Sequence, residues 1–284
     1  MTTRKLNIVL ITGASTGIGK VASLYLVEKG YKVIGTSRSL EKLSPVVAEA
    51  NGSEGTFVPV ELDINLPSGA PGCIEEVLPR LADEHGTIDV LVNNAGYALW
   101  GPLEGMTPQQ MVDQFTTNVF APFRLSNTVI PAMRQQAAGR IINISSVAGW
   151  VVTPFNGAYA SSKFALEAQS QALRMELSPF GVKVSLIEPG LFDSEFQNNT
   201  VDGERAESPE LPYGPHIAAY RRKHGRFRVL THDPIRIARL IDRIITTRNP
   251  KLSYPIGLEA HIGILASKLL PGWLFERMVA KTSM

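Results

Sequence analysis

The sequence predicts an α/β fold, a doubly wound parallel sheet of about seven strands with helices on both faces. Two observations carry this. Short β-branched runs alternate with longer stretches of helical pattern, and glycines stand at the joins. When a helix crosses between successive strands, the strands run parallel and are buried on both faces, so each reads as a continuous apolar run.

The first run is Ile8 to Ile11, followed by a glycine-rich turn and a helical pattern from Lys20 to Lys29. Lys32 to Thr36, Phe57 to Leu62, Val90 to Val92, Ile141 to Ile144 and Val182 to Ile187 are the next runs. Gly30, Gly86, Gly139 and Gly181 each stand just before one of them, where a helix ends in a left-handed residue that glycine adopts at least cost. The character changes after Gly190. From about Asp193 to Val229 the chain is rich in Pro, Gly, Asn and charge and lacks clear periodicity, which predicts a long surface excursion acting as a lid. A helical stretch from about Asp233 to Thr246, a short apolar run near Ser253 to Ile256 and an apolar tail from Gly263 to Phe275 complete the pattern.

Length permits one large domain with a full core, and no linker or repeat divides the chain. A single catalytic domain over 1–284 is expected, with a lid at about 193–229 and an apolar C-terminal tail at about 258–284. The net charge of only +2, with both signs dispersed, gives no footprint for a phosphate backbone, so nucleic acid is not an expected partner. Cys73, the single cysteine, cannot form an internal disulfide, and no Cys/His cluster has ligand spacing. A reducing compartment and no metal are expected. The start lacks the pattern of a signal peptide, and no apolar stretch reaches the roughly 20 residues that span a bilayer. A soluble cytoplasmic protein is the expectation. Peripheral membrane contact through the tail or through the basic cluster Arg221 to Arg228 stays open.

The turn Thr12-Gly13-Ala14-Ser15-Thr16-Gly17-Ile18-Gly19 joins a strand to a helix, the setting in which backbone N–H groups cradle a pyrophosphate. About 20 residues further on, a site that prefers NAD offers a carboxylate to the ribose 2′-hydroxyl. Here the chain has Thr36-Ser37-Arg38 instead. With no acid to repel a 2′-phosphate and a guanidinium to pair with it, NADP(H) is the expected cofactor.

Tyr159-Ala160-Ser161-Ser162-Lys163 lies in helical sequence, where residues four apart share a face. A cation beside a phenol favours the phenolate and brings its pKa toward the working range. Tyr25 and Lys29 show the same interval, so spacing alone does not decide. The neighbourhood does: Ile141-Ile142-Asn143-Ile144-Ser145-Ser146 is a buried strand ending in hydroxyls at the carboxyl edge, where open α/β sheets bind ligands.

With these motifs in order, the chain from about Ile8 to Ser194 resembles the short-chain dehydrogenase/reductase family, a Rossmann-type fold. The likeness rests on the glycine turn, Asn93-Asn94-Ala95-Gly96, Asn118, Ser146 thirteen residues before Tyr159, Lys163 and Pro189-Gly190. It implies that Ser146 hydrogen-bonds the substrate oxygen, Tyr159 transfers its proton, Lys163 also binds the nicotinamide ribose, and Asn118 anchors a water in a proton relay. It also implies a cofactor cradle of Gly13, Ser15, Thr16, Gly17, Ile18 and Gly19, with Ser37 and Arg38 at the 2′-phosphate. Asp63 would contact the adenine and Asn94 the adenosine side, while Pro189, Gly190 and Ser194 meet the remaining parts. Ser194 stands where the family often has threonine, keeping the hydroxyl. A homodimer or homotetramer is the implied assembly.

Tyr97, Leu99, Trp100, Val147, Val151, Phe155, Leu191, Phe192 and Phe196 surround the expected cleft, so a lipophilic carbonyl or alcohol is the expected substrate. The flavour is similar to the 17β-hydroxysteroid and retinol dehydrogenase branch. His216 and His232 show no partner spacing that suggests a ligand or a base. The alternative is a catalytically idle NADP-binding redox sensor acting through protein partners, whose usual mark is a damaged catalytic set. Asn118, Ser146, Tyr159 and Lys163 are all present here.

Overall fold

Each apolar run becomes a strand, because β-branched side chains fit a pleated surface buried on both faces. The computed structural model describes residues 6–190, 192, 200–206, 208, 210–225 and 232–283. Its strands are β1 (Ile8–Thr12), β2 (Lys32–Ser37), β3 (Thr56–Glu61), β4 (Val90–Asn93), β5 (Leu99–Trp100), β6 (Gly139–Ile144), β7 (Val182–Pro189), β8 (Val201–Asp202) and β9 (Ser253–Ile256). The helices are α1 (Gly17–Glu28), α2 (Ser44–Ala50), α3 (Ile74–His85), α4 (Pro108–Phe115), α5 (Ala121–Gln135), α6 (Gly157–Leu177), α7 (Gly214–Gly225), α8 (Ile235–Thr246), α9 (Leu258–Leu269) and α10 (Gly272–Ser283).

Seven strands form one sheet in the order β3-β2-β1-β4-β6-β7-β9, and β5 pairs separately with β8. Every neighbouring pair in the large sheet is parallel. The two-residue period of β1 sends Val9 and Ile11 into a core shared with Leu26 of α1 and Ile237, Ile241 and Ile244 of α8. Leu10 faces the other way, into a core with Leu78 of α3 and Leu125 and Met133 of α5. The strand order reverses between β1 and β4, which opens a crevice at the carboxyl edge. The glycine turn after β1, Asn94 after β4, Ser146 after β6 and Gly190 after β7 all emerge at that edge.

Three local expectations change. Gly30, Gly86 and Gly181 do hold positive φ, but at the end of α5 the left-handed residue is Ala137, with φ 51°. Gly139 instead begins β6, where a Cβ would press on the Met133 side chain. Between Asp193 and Val229 the chain is not wholly irregular, since β8 and α7 form there. Residues 193–199, 207, 209 and 226–229 of that stretch lie outside the described residues. The apolar tail forms two helices, α9 and α10, separated by Leu270 and Pro271.

Candidate active site

The amino-terminal turns of α6 carry Tyr159 and Lys163 one turn apart, under the end of β6. Lys163 Nζ donates to the Ile144 carbonyl at 2.9 Å and lies 5.6 Å from the centroid of the Tyr159 ring. Ser146 is extended and starts a 3-10 turn over Val147–Gly149, and its Oγ accepts from the Ala148 amide at 3.1 Å. The Ser146 side chain also acts on the Tyr159 phenol, favouring its ionised form. Asn118 sits in a π-helical turn, Thr116–Phe120, which widens the backbone between α4 and α5. Asn118 Nδ2 donates to the Tyr97 carbonyl at 2.9 Å and to Ser162 Oγ at 3.1 Å, while its Oδ1 accepts from the Tyr97 amide at 3.2 Å. These four sequence-expected residues are therefore brought to one place.

The electrostatics differ from the sequence expectation. Burial pushes the Tyr159 phenol up to about 12, against the opposing pull of the Ser146 hydroxyl. Burial also brings the Lys163 amine down to about 8, with the charge of Glu167 acting the other way. Desolvation thus outweighs the expected lowering of the phenol by Lys163, whose Nζ is directed at Ile144.

The sequence reading missed two acids. Glu167 follows Lys163 by one turn of α6, and burial pushes its carboxyl up to about 8, opposed by the nearby Ser145 hydroxyl and raised further by the charge of Glu188. Glu188, on β7, is raised by its own burial and accepts from Ser253 Oγ at 2.6 Å. The four-residue interval from Lys163 was a signal for Glu167. Nothing local pointed to Glu188, whose role depends on contacts far away in the chain.

The cradle geometry fits a dinucleotide phosphate. Gly13 and Gly17 hold φ of 67° and 53°. The Ala14 amide donates to the Thr36 carbonyl at 2.9 Å, tying the turn to β2. Thr16 caps α1 without a side-chain hydrogen bond, leaving the first N–H groups of the helix facing the turn. Asn94 supports the loop: its Nδ2 donates to the Thr12 and Gly13 carbonyls at 2.9 and 3.2 Å. A Cβ at Gly19 would collide with the Gly13 carbonyl and with Asn94. Ser15 and Ile18 are half-buried around the turn, and Thr16 is exposed. Ser37 is nearly buried at the end of β2 and Arg38 is exposed beside it. The Asp63 carboxylate accepts from the Asn65 amide at 3.0 Å. Pro189 ends β7, and the Gly190 amide donates to the Ile256 carbonyl at 3.0 Å. Ser194, like Leu191, Phe196, Arg226 and Arg228, lies outside the described residues.

Beside this site runs an open, largely apolar groove of about 600 Å³, walled in part by Leu103, Trp150, Val152, Phe155, Tyr213 and Phe275. Gly157 reaches the groove, whereas Tyr159 is not among its walls. Phe155 has positive φ, 65°, and its ring packs 5.7 Å from the rings of both Trp100 and Tyr220. Of the other residues expected around the cleft, Leu99 is fully buried, and Phe192 is buried 5.4 Å from the His232 ring. His232 does have an acidic partner: its Nε2 lies 3.2 Å from Glu259 Oε2. A 27-residue separation hid that pairing from the sequence.

Comparison with known proteins adds lineage to this geometry. The family model described as short chain dehydrogenase matches residues 7–205. The chain is 36% identical to the uncharacterized oxidoreductase YbbO of Escherichia coli strain K12, over 95% of this chain and 93% of that protein. It is 32% identical to 3-ketodihydrosphingosine reductase of Bacteroides thetaiotaomicron, over 96% and 94%. To retinol dehydrogenase 8 of Bos taurus it is 33% identical, over 86% and 79%. Among solved structures, a short-chain dehydrogenase from Streptomyces avermitilis superposes with TM-score 0.80 at 30% identity, covering 93% of each chain. A metagenomic short-chain oxidoreductase in complex with NADP gives 0.68 at 28% identity, over 88% of this chain and 95% of that one. A Sphingobium yanoikuyae short-chain dehydrogenase in complex with NADPH gives 0.71 at 25%, over 93% of each.

Proposed function

The chain belongs to the short-chain dehydrogenase family, and from that premise we propose that it is an NADP(H)-dependent oxidoreductase that interconverts a carbonyl and an alcohol on a lipophilic substrate. The observation that carries the reading is the convergence on the Tyr159 phenol of the Ser146 hydroxyl, which favours its ionised form, and the Lys163 amine, 5.6 Å from the same ring. The glycine cradle would hold the pyrophosphate of NADP(H), whose nicotinamide would supply or take the hydride. In reduction, Tyr159 gives its proton to the carbonyl oxygen while Ser146 hydrogen-bonds that oxygen. Lys163 stabilises the phenolate left behind, and Asn118 holds the Tyr97 loop against α6 and orders the path by which the proton is restored. Arg38 supports NADP(H) over NAD(H), as do two similar structures that hold NADP and NADPH.

A lipophilic substrate is supported by the apolar groove and by two relatives named for retinol and 3-ketodihydrosphingosine, both molecules with long hydrocarbon parts. Exposed Phe123 of α5 and Phe164 and Met175 of α6 support a homodimer or homotetramer. A panel of lipophilic ketones followed by NADPH absorbance at 340 nm tests the reaction. Tyr159→Phe should abolish turnover and leave NADPH affinity nearly unchanged; a variant that keeps a tenth of the wild-type rate would remove Tyr159 from the role of acid.

A further inference from the structure

Helix α9 is apolar on two opposite faces. Ala260 and Ile264 are buried and Gly263 packs against Val147 and Val151, which accounts for the inner face. On the outer face stand Leu258, Ile262, Leu265 and Leu269, exposed by 71%, 58%, 58% and 72%. Steps of four, three and four residues keep all four on one narrow stripe of a helix. The next element extends it: Trp273 is 68% exposed, and Leu274 and Met278 of α10 are exposed with it. A continuous apolar surface of this kind marks an interaction site, because isolated exposed leucines are ordinary and a row of them is not.

The charges around the stripe select the partner. Neither acid of these two helices stands on the stripe: Glu259 is half-buried beside His232, and Glu276, although exposed, borders the groove on the other side of α10. Lys268, Arg277 and Lys281 are exposed, and α7, packed beside α10, adds exposed Arg222. Lys268 lies 4.1 Å from the centroid of the Trp150 ring, at the edge of the stripe. An apolar row with a tryptophan at its end and basic residues along its margins matches a bilayer surface with anionic headgroups, where the side chains enter the acyl boundary and the cations stay among the phosphates.

We propose that the outer face of α9 and α10 docks on an anionic lipid bilayer. The opposite face of α10, through Phe275, Glu276 and Val279, walls the apolar groove, so docking brings the groove to the lipid surface. Docking stands on the exposed face alone; only delivery of a membrane-dissolved substrate rests on the carbonyl reduction proposed above.

The test is co-sedimentation of the full chain with vesicles of phosphatidylglycerol and phosphatidylcholine in equal parts, beside vesicles of phosphatidylcholine alone. The wild type should bind the anionic vesicles and release as salt rises. The triple variant Ile262→Gln, Leu265→Gln, Leu269→Gln should lose more than tenfold in vesicle affinity while its NADPH affinity and melting temperature hold. Should the triple variant fold poorly, Trp273→Ala replaces it, with the same loss of affinity expected and loss of a blue shift in tryptophan emission on vesicle addition. Absence of wild-type binding, or equal binding by the folded variants, overturns the proposal. So does a lipid-independent dimer that the triple variant abolishes, since the face would then belong to a second copy. A Tyr159→Phe enzyme that still turns over would overturn the reaction and leave vesicle binding as it is.

Discussion

The Lys163 ammonium donates to the Ile144 carbonyl at 2.9 Å, pinning α6 to the end of β6. Lys163→Ala therefore removes a charge from the site and leaves a buried carbonyl without its donor. Loss of such a partner costs about 1–3 kcal/mol. Urea unfolding of Lys163→Ala should show a stability loss in that range together with loss of turnover. A variant that is inactive but as stable as wild type would show that the bond to Ile144 carries no weight in the fold.

At the cofactor end, exposed Arg38 and nearly buried Ser37 stand at the close of β2. Arg38→Ala should weaken NADPH by about one to two decades and NADH little, since one charge-assisted contact is worth roughly 1.5–3 kcal/mol. Ser37→Asp should turn the preference toward NADH by repelling the 2′-phosphate. Titration with both cofactors decides the matter, and equal weakening of the two would count against the assignment.

Glu167 gives stability a pH dependence of defined sign. Its folded pKa, about 8, lies above its unfolded value, so the folded state favours the neutral acid. Stability is full below the unfolded carboxylate range, and it falls as pH rises toward 8. Lys163, brought down to about 8, remains protonated in both states over most of this window and adds little slope. Glu167→Gln is neutral throughout. Its stability relative to wild type should grow between pH 5 and pH 8, on the order of a few kcal/mol at most. Urea midpoints for both proteins at the two pH values measure this, and a pH-independent difference refutes it.

Phe155 takes a left-handed backbone that a bulky residue adopts only at a cost, and the Gly101 amide holds its carbonyl at 2.7 Å. Its ring lines the groove. Phe155→Ala should raise KM for bulky ketones several-fold more than for small ones, with little change in kcat. Parallel kinetics on a short and a long aryl ketone would detect it, and identical changes for both would exclude the groove as a substrate wall.

The segment after Gly190 is the proposed lid. Its described part is anchored: β8 pairs with β5, Arg221 bonds Asp202 at 3.0 Å and the Tyr213 hydroxyl bonds Glu104 at 2.8 Å. Adding NADP and a lipophilic alcohol should slow amide exchange across Asp193 to Val229 far more than in the central strands, which are protected already. Unchanged exchange at saturation of both ligands rules the lid out.

The strands were legible because Ile8 to Ile11 and its counterparts are buried on both faces, so local composition reports directly on burial. The proposed catalytic residues stood out in the sequence for a different reason, since a phenol, an amine and a hydroxyl at fixed intervals point to both chemistry and ancestry. Helix α7 was hidden by its polarity: Arg221 and Arg222 face solvent and leave no apolar stripe. The turn at Ala137 broke the glycine rule because Gly139 was needed for packing against Met133. Glu188 acquires its surroundings from Ser253, 65 residues away, which no window of sequence contains.

Glu259, in the first turn of α9, sits where any side chain at Gly190 or Gly257 would strike it, and it also reaches His232. A chain cut after Ile256 would keep all seven strands of the large sheet and yet lose this wedge. The turn that closes β7 would then have an open space in place of a carboxylate, next to the end of the proposed cofactor site. A shortened chain for crystallisation or fusion therefore needs its boundary beyond α9, although the extent of the sheet alone would put it earlier.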